Sequence, residues 1–181
     1  MVKLFLSTPC YGGQCLEKYA TSVIKLQIEL IKEGIQLMLD TTENESLVHR
    51  ARNVAVGRFL QKTDADVFMF IDADVEFTAD AVVRLVTSPH AVSVAVYPKK
   101  VVMWDQVKKA VAEGDERNMA MLSSSLVANI GAHKRTVEDG FVELLDGPTG
   151  FMAIKRGAFE KLEEKFPELN FLFNKQIFCS N

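Results

Sequence analysis

Val67-Phe-Met-Phe-Ile71 places five apolar residues in succession, with none left to turn toward solvent. A strand of this composition is buried on both faces, which favours a parallel sheet covered by helices over a half-exposed antiparallel one. The preceding chain fits that demand. Lys3 to Thr8 reads as a first strand, broken by Pro9 and the Gly12-Gly13 pair; Leu16, Tyr19, Val23, Leu26 and Leu30 then recur at helical spacing as far as Gly34. Ile35 to Leu39 forms a second short strand. The polar connector 40–46 offers Ser46 as the cap of a helix that turns Leu47, Ala51, Val54, Ala55 and Phe59 inward. A Thr78-capped helix through Val86 and a fourth strand from Val92 to Val96 complete a β-α-β-α-β-α-β series, which predicts parallel strands with helices on both faces.

Beyond Pro98 the rhythm loosens. A helix is expected near Asp105 to Glu113, strands at Phe141 to Leu145 and Phe151 to Ile154 on either side of Asp146-Gly-Pro-Thr-Gly150, and a last helix from Ala158 to Phe166, stopped by Pro167. The apolar, aromatic stretch from Leu169 to Asn181 has no visible closing element, which suggests a domain excised from a longer polypeptide. With 181 residues and 48% hydrophobic content, a single domain with one sizeable core is expected.

Composition narrows the function. A net charge of -3, with 21 Lys and Arg scattered along the chain, supplies no basic field for nucleic acid. No apolar run is long enough for a secretory signal or a membrane span, so a soluble, cytoplasmic protein is expected. Cys10, Cys15 and Cys179 form no C-x-x-C pair and indicate neither a disulfide framework nor a zinc site.

The central strand ends in Asp72-Ala-Asp74, so two carboxylates emerge at its C-terminal end, where open α/β sheets bind ligands. Hard cations such as Mg²⁺ and Mn²⁺ prefer oxygen, and Mg²⁺ is typically held by one or two carboxylates, with substrate phosphates and waters completing its shell. Asp72 and Asp74 are therefore candidate ligands of a metal shared with a phosphorylated molecule. D-x-D is short, and the chain carries its own control: Asp64-Ala-Asp66 has the same spacing but precedes the strand, where acidic turn residues are ordinary. A second set lies on the helix after the second strand, where His49, Arg52 and Asn53 fall on a face apart from the core positions. Arg52 there suits a phosphate and Asn53 a base edge, although spacing alone favours a solvated helix face with one snorkelling basic residue.

These pieces together resemble the nucleotide-sugar glycosyltransferases of the GT-A fold. The resemblance rests on Ser7-Thr-Pro9, Ala51-Arg-Asn53, Phe70-Ile-Asp-Ala-Asp-Val75 and Gly147-Pro-Thr-Gly-Phe-Met152, in the family's order across residues 5 to 155. The strand ending in Asp-Ala-Asp-Val is its specific part, and glycosyltransferase domains of algal viruses are the nearest in character. It implies a Rossmann-like, three-layer α/β/α domain with a mostly parallel central sheet. A nucleotide-binding half would fill about 1–100, and a sugar and acceptor half about 101–181.

By this resemblance, Thr8, Pro9 and Tyr11 receive the nucleoside of a nucleotide-diphosphate sugar, commonly UDP-linked, with Arg52 and Asn53 nearby. Asp72 and Ala73 contact ribose or metal, and Asp74 ligates Mn²⁺ or Mg²⁺ on the diphosphate. Tyr97 and Lys99 are further donor contacts, the segment Asp146 to Phe151 with Gly150 lines the sugar and acceptor pocket, and a saccharide acceptor takes the sugar. Bland alternatives stand beside these roles: Tyr11 as a packed loop aromatic, Lys99-Lys100 as a solvated turn, Gly147 and Gly150 as turn residues needing positive φ.

The metal would neutralise the departing diphosphate as a Lewis acid, so no protonating side chain is needed. An inverting enzyme would also need a base for the acceptor hydroxyl. Either Asp146 is that base, or the base lies past Asn181, or configuration is retained; nothing recommends His90 or His133 as a ligand. Three rivals remain. A sugar-nucleotide pyrophosphorylase lacks its usual arginine in Pro9-Cys-Tyr-Gly-Gly-Gln14. A haloacid-dehalogenase-like phosphatase would place its nucleophilic Asp after the first strand, which here ends in Ser7-Thr8. A non-catalytic nucleotide-sugar-binding module is the third.

Overall fold

The computed structural model describes residues 1–99, 101–115, 119, 123–129 and 137–167. The chain forms two compact units, one made of Met1–Ala95 with Thr149–Asn181 and the other of Val96–Pro148. The first unit is built on a five-stranded sheet of β1 (Lys3–Cys10), β2 (Gln36–Glu43), β3 (Val67–Ile71), β4 (Val92–Val94) and a late strand, β7 (Phe151–Lys155), in the order β2-β1-β3-β7-β4. β1 runs parallel to both β2 and β3, and all five residues of β3 are buried, as its unbroken apolar composition requires.

The sheet is mixed, which departs from the uninterrupted parallel series read from the sequence. β7 lies between β3 and β4 and is antiparallel to both, with Met69 opposite Ala153 and Ser93 opposite Ala153 on the other side. Alternation along β7 buries Phe151 and Ala153, whereas β4 is only three residues long, exposes Val92 and takes the edge. Elements adjacent in sequence need not pair, and the strand that supplies more buried surface occupies the interior.

Side-chain alternation directs the two faces of the sheet to different helices. Phe5, Phe68 and Phe70 point to one face and pack on Ala55, Val56 and Phe59 of α2 (Val48–Lys62), with Phe159 of the last helix, α5 (Arg156–Lys165), against them. Phe68 is the hub, with ring centroids 5.3 Å from Phe59, 4.4 Å from Phe70 and 5.8 Å from Phe159. Thr8, of opposite parity on β1, meets Tyr19 of α1 (Glu17–Lys32), and α1 packs beside α3 (Ala79–Thr87).

Helix ends follow local chemistry. Gly34, at φ 66°, terminates α1 with the Ile35 N–H returning to the Leu30 carbonyl at 2.8 Å and Ile35 buried beneath, the Schellman arrangement. Thr78 caps α3 by accepting the Ala81 N–H at 3.3 Å. Ser46 does not cap α2. Leu47 holds that position with no side-chain bond, and Glu45 accepts the Leu47 N–H at 3.1 Å.

In the second unit, α4 (Trp104–Ala112) precedes a small hairpin of β5 (Val137–Glu138) and β6 (Phe141–Val142). The strand expected from Phe141 to Leu145 thus ends at Val142. Asp139 and Gly140, at φ 49° and 77°, form the two-residue turn that such a hairpin requires. His133, Cys179, Lys100 and the segment 169–181 lie outside the described residues. Among the described residues, no helix is long and apolar enough to cross a membrane.

Candidate functional site

The C-terminal ends of β1 and β3 open into a cleft of about 390 Å³ within the first unit. Pro9 lines it from the end of β1, which runs through this proline to Cys10, and Tyr11 from just beyond; Gln14, Cys15 and Leu16 come from the entry to α1, Glu45, Ser46 and Val48 from the entry to α2, and Asp72, Ala73 and Asp74 from the end of β3. Two backbone bonds hold the acidic turn in place: Asp72 N–H donates to the Gly150 carbonyl at 3.0 Å, and Leu16 N–H donates to the Ala73 carbonyl at 2.9 Å. Asp72 is half-buried and Asp74 is exposed. The other D-x-D lies at the opposite end of β3, where Asp66 accepts the Lys3 N–H at 2.8 Å and Asp64 pairs with the Lys3 ammonium.

Arg52 joins three parts of this end of the sheet. Nη2 donates to Asp72 Oδ1 at 2.7 Å, Nη1 donates to Thr149 Oγ1 at 2.6 Å, and the guanidinium lies 5.5 Å from the centroid of the Phe70 ring. Its Nε is buried and has no hydrogen-bond partner. Arg52 is held over β3 because Ala51 and Ala55, its neighbours on α2, are buried against the sheet.

A second ion pair, Arg58 to Asp40 at 2.7 Å, lies further along α2, and Ser7 donates to the same carboxylate oxygen at 2.9 Å. At the cleft rim, Arg50 binds Glu45 through both Nε and Nη2, and these bonds hold the Glu45 carboxyl below the usual carboxylate range.

The candidates read from sequence separate into groups. Pro9, Tyr11, Asp72, Ala73 and Asp74 share the cleft, with Arg52 bonded to Asp72 and the Gly150 carbonyl behind it. Thr8 is fully buried, and its hydroxyl shares a hydrogen bond with Tyr19 rather than lining the cleft. Asn53 is exposed on α2 and does not line the cleft. Tyr97, Lys99 and Asp146 belong to the second unit, where the Tyr97 carbonyl accepts Val127 N–H, Lys99 N–H donates to Ser125, and Asp146 Oδ2 accepts Asn129 Nδ2 at 3.0 Å.

Glu45, Ser46, Val48, Gln14 and Leu16 were not legible as site residues, since none carries a motif, whereas Thr149 falls in the segment expected to line the sugar pocket and is bonded to Arg52. Cys10 is buried and burial raises its thiol pKa, while Cys15 is an exposed free thiol on the cleft wall. Among the described residues, no three His, Cys, Asp or Glu side chains converge as a metal cluster.

No model of a known protein family matches the chain. No curated protein matches it either. Among solved structures, it is similar to one described as the crystal structure of A197 from STIV, at 18% identity and a TM-score of 0.41, covering 97% of this chain and 78% of that one. That score is too low to define a shared fold.

Proposed function

We propose that this protein is a metal-dependent glycosyltransferase of GT-A, three-layer α/β/α type that takes a nucleotide-diphosphate sugar, with UDP the preferred nucleotide, as its donor. One observation carries the reading: Asp72 and Asp74 leave a fully buried strand at its C-terminal end and line a cleft together with Pro9 at the end of the first strand and Tyr11 just beyond it. This is where open α/β sheets take nucleotides.

The donor set fits Mn²⁺ or Mg²⁺. Two carboxylates suffice when substrate phosphates supply the remaining oxygens of the shell. Asp74 and Oδ2 of Asp72 are the protein oxygens assigned to the ion, because Arg52 takes Oδ1. When bound, the ion supplies charge neutralisation for the departing diphosphate.

The chain's own residues do the rest. Tyr11 offers an exposed aromatic face to the base, Pro9 a rigid apolar wall, and the bond from Asp72 N–H to the Gly150 carbonyl fixes the acidic turn before a ligand arrives. Such preformed positioning converts binding energy into orientation of the donor.

The test is thermal unfolding with Mn²⁺ and a panel of nucleoside diphosphates, followed by assay of donor-sugar hydrolysis. A rise in melting temperature with UDP plus Mn²⁺, and slow release of UDP from a UDP-sugar, is the expected result. Stabilisation without turnover of any nucleotide sugar would instead identify a non-catalytic binder. No stabilisation by any nucleoside diphosphate would sink the reading altogether.

A further inference from the structure

We infer that Arg52 and Thr149 form a latch through which the turn bearing Asp72 and the inserted unit Val96–Pro148 share one local opening equilibrium. That unit interrupts the first between β4 and β7: the chain leaves after Ala95 and returns at Thr149. Exit and return are neighbours, since Ala95 N–H donates to the Phe151 carbonyl at 3.0 Å. Toward β3, the returning chain is bonded to a cleft residue. The Gly150 carbonyl accepts Asp72 N–H at 3.0 Å, and Thr149 Oγ1 accepts Arg52 Nη1 at 2.6 Å while Nη2 of the same guanidinium holds Asp72 Oδ1 at 2.7 Å. One arginine thus ties a residue that lines the cleft to the residue at which the insertion ends.

The path continues inside the inserted unit. Asn129 N–H donates to the Asp146 carbonyl at 3.1 Å, Leu145 N–H donates to the Asn129 carbonyl at 2.8 Å, and Asn129 Nδ2 donates to Asp146 Oδ2 at 3.0 Å. The outgoing chain is braced on the same segment, with Val127 N–H donating to the Tyr97 carbonyl at 3.0 Å and Lys99 N–H to the Ser125 carbonyl at 2.7 Å. Both legs of the insertion are therefore fastened to residues 125–129. Pro148, with its ring-fixed φ, stiffens the short span from Asp146 to Thr149. Hydrogen bonds and short covalent spans run from Asp72 to Asn129 without a break, and segments tied in this way open as cooperative units. Arg52 and Thr149 are positioning residues in this path: a planar fork spans two acceptors at once, which an ammonium does not. By linkage, whatever steadies the inserted unit steadies the turn by the same factor. The latch consists of the chain's own groups and exists whatever the cleft binds.

The experiment is native-state hydrogen exchange of the full chain without ligand, read at single amides by NMR. The amides of Asp72, Val75, Val127 and Asn129, all hydrogen-bonded, should share one protection factor, lower than that of Met69 inside β3. Thr149→Val keeps the side chain's shape and removes the acceptor. It should speed exchange at all four amides together by roughly fivefold, the order expected from losing one charge-assisted bond open to solvent. Arg52→Gln, which cannot span Thr149 and Asp72, should give the same joint rise and carries the test should Thr149→Val fail to fold cooperatively. Thr149→Ser keeps the hydroxyl and should exchange at the unsubstituted rates. The amides of Glu33 and Ile35, bonded to Glu29 and Leu30 at the end of α1, open by local fraying and should not change in any variant.

A rise confined to Asp72 and Val75, or unequal protection of the two pairs in the unsubstituted protein, would overturn the latch by showing that the turn and the insertion open separately. Faster exchange in Thr149→Ser equal to that in Thr149→Val would overturn it too, by removing the hydroxyl from the effect. An equal rise at Glu33 and Ile35 would reduce the contact to general stability. None of these outcomes depends on nucleotide. A failure of the glycosyltransferase reading appears separately, as no stabilisation by UDP plus Mn²⁺ in the unsubstituted protein.

Discussion

Thr8 and Tyr19 share a hydrogen bond in the interior between β1 and α1, with the phenol edge-on to Phe77 at 6.0 Å. Burial pushes the Tyr19 phenol up to about 12, overriding the opposing effect of the Thr8 bond. The folded state thus favours the neutral phenol more than the unfolded chain does. Its contribution to stability is fully present below pH 10, the ordinary tyrosine value, and is lost as pH rises to about 12. Stability is expected to fall by about 3 kcal/mol across that window on account of this group. Tyr19→Phe should remove that slope and the latest step in tyrosinate absorbance near 295 nm. A denaturation series whose alkaline slope is the same in both proteins would refute the assignment.

Asp74 is exposed and lines the cleft, whereas Asp72 is tied to Arg52, so substitution at 74 tests the ion while leaving the Arg52–Asp72 pair in place. Asp74→Asn removes a charge at constant shape. It should leave the unfolding free energy without ligand within about 0.5 kcal/mol of the unsubstituted protein, the usual range for surface substitutions. Stabilisation by UDP plus Mn²⁺ should disappear. Nucleotide affinity by calorimetry that is equal in the two proteins would remove Asp74 from the site.

How much of this was legible depends on whether a feature is local. The apolar run of β3, the Gly34 stop, the Thr78 cap and the emergence of Asp72 and Asp74 beside the loop of Pro9 and Tyr11 are consequences of short stretches of sequence, and the structure contains all of them. The antiparallel insertion of β7 was not legible, because strand order is decided by which strand buries more surface against neighbours distant in sequence. The same holds for Thr149 on Arg52, 97 positions apart. Burial of the Thr8 hydroxyl against Tyr19 inverted an expectation drawn from its position at a strand end: side-chain parity, not distance along the strand, decided which way it points. Asp139-Gly140 is a hairpin turn whose local signal the reading of the sequence passed over, placing only a strand from Phe141.

Arg156 closes the far end of α2. Its guanidinium donates to the carbonyls of Ala65, Phe59 and Thr63 at 2.7, 3.0 and 3.0 Å and lies 4.2 Å from the Phe59 ring centroid. The Phe59 carbonyl lies in the last turn of α2, where it also accepts the Thr63 hydroxyl at 2.8 Å, and the carbonyls of Thr63 and Ala65 follow the helix. Arg156→Ala leaves several of them unsatisfied and uncovers Phe59, so a loss of about 2–3 kcal/mol is expected. Arg156→Lys should recover only part of that, since an ammonium cannot reproduce the fork. Urea unfolding midpoints measure both. A lysine variant as stable as the arginine protein would show that charge alone suffices.

Gly12 and Gly13 follow Tyr11 with φ of 67° and 69°, a consecutive left-handed pair that turns the chain from β1 into the cleft wall. A Cβ at Gly12 would meet nothing within 4 Å, so Gly12→Ala tests backbone strain without a clash. The expected cost is about 1 kcal/mol. Gly34 provides a matched control, with φ 66°, equally open space and a position at the end of α1 that does not line the cleft. Both alanine variants should lose similar stability in urea. Only Gly12→Ala should also weaken stabilisation by UDP plus Mn²⁺, because relieving its strain shifts the loop that carries Pro9 and Tyr11. Equal ligand-dependent stabilisation in the two variants would mean that the left-handed pair serves the chain reversal alone and that the nucleotide does not rest on this loop.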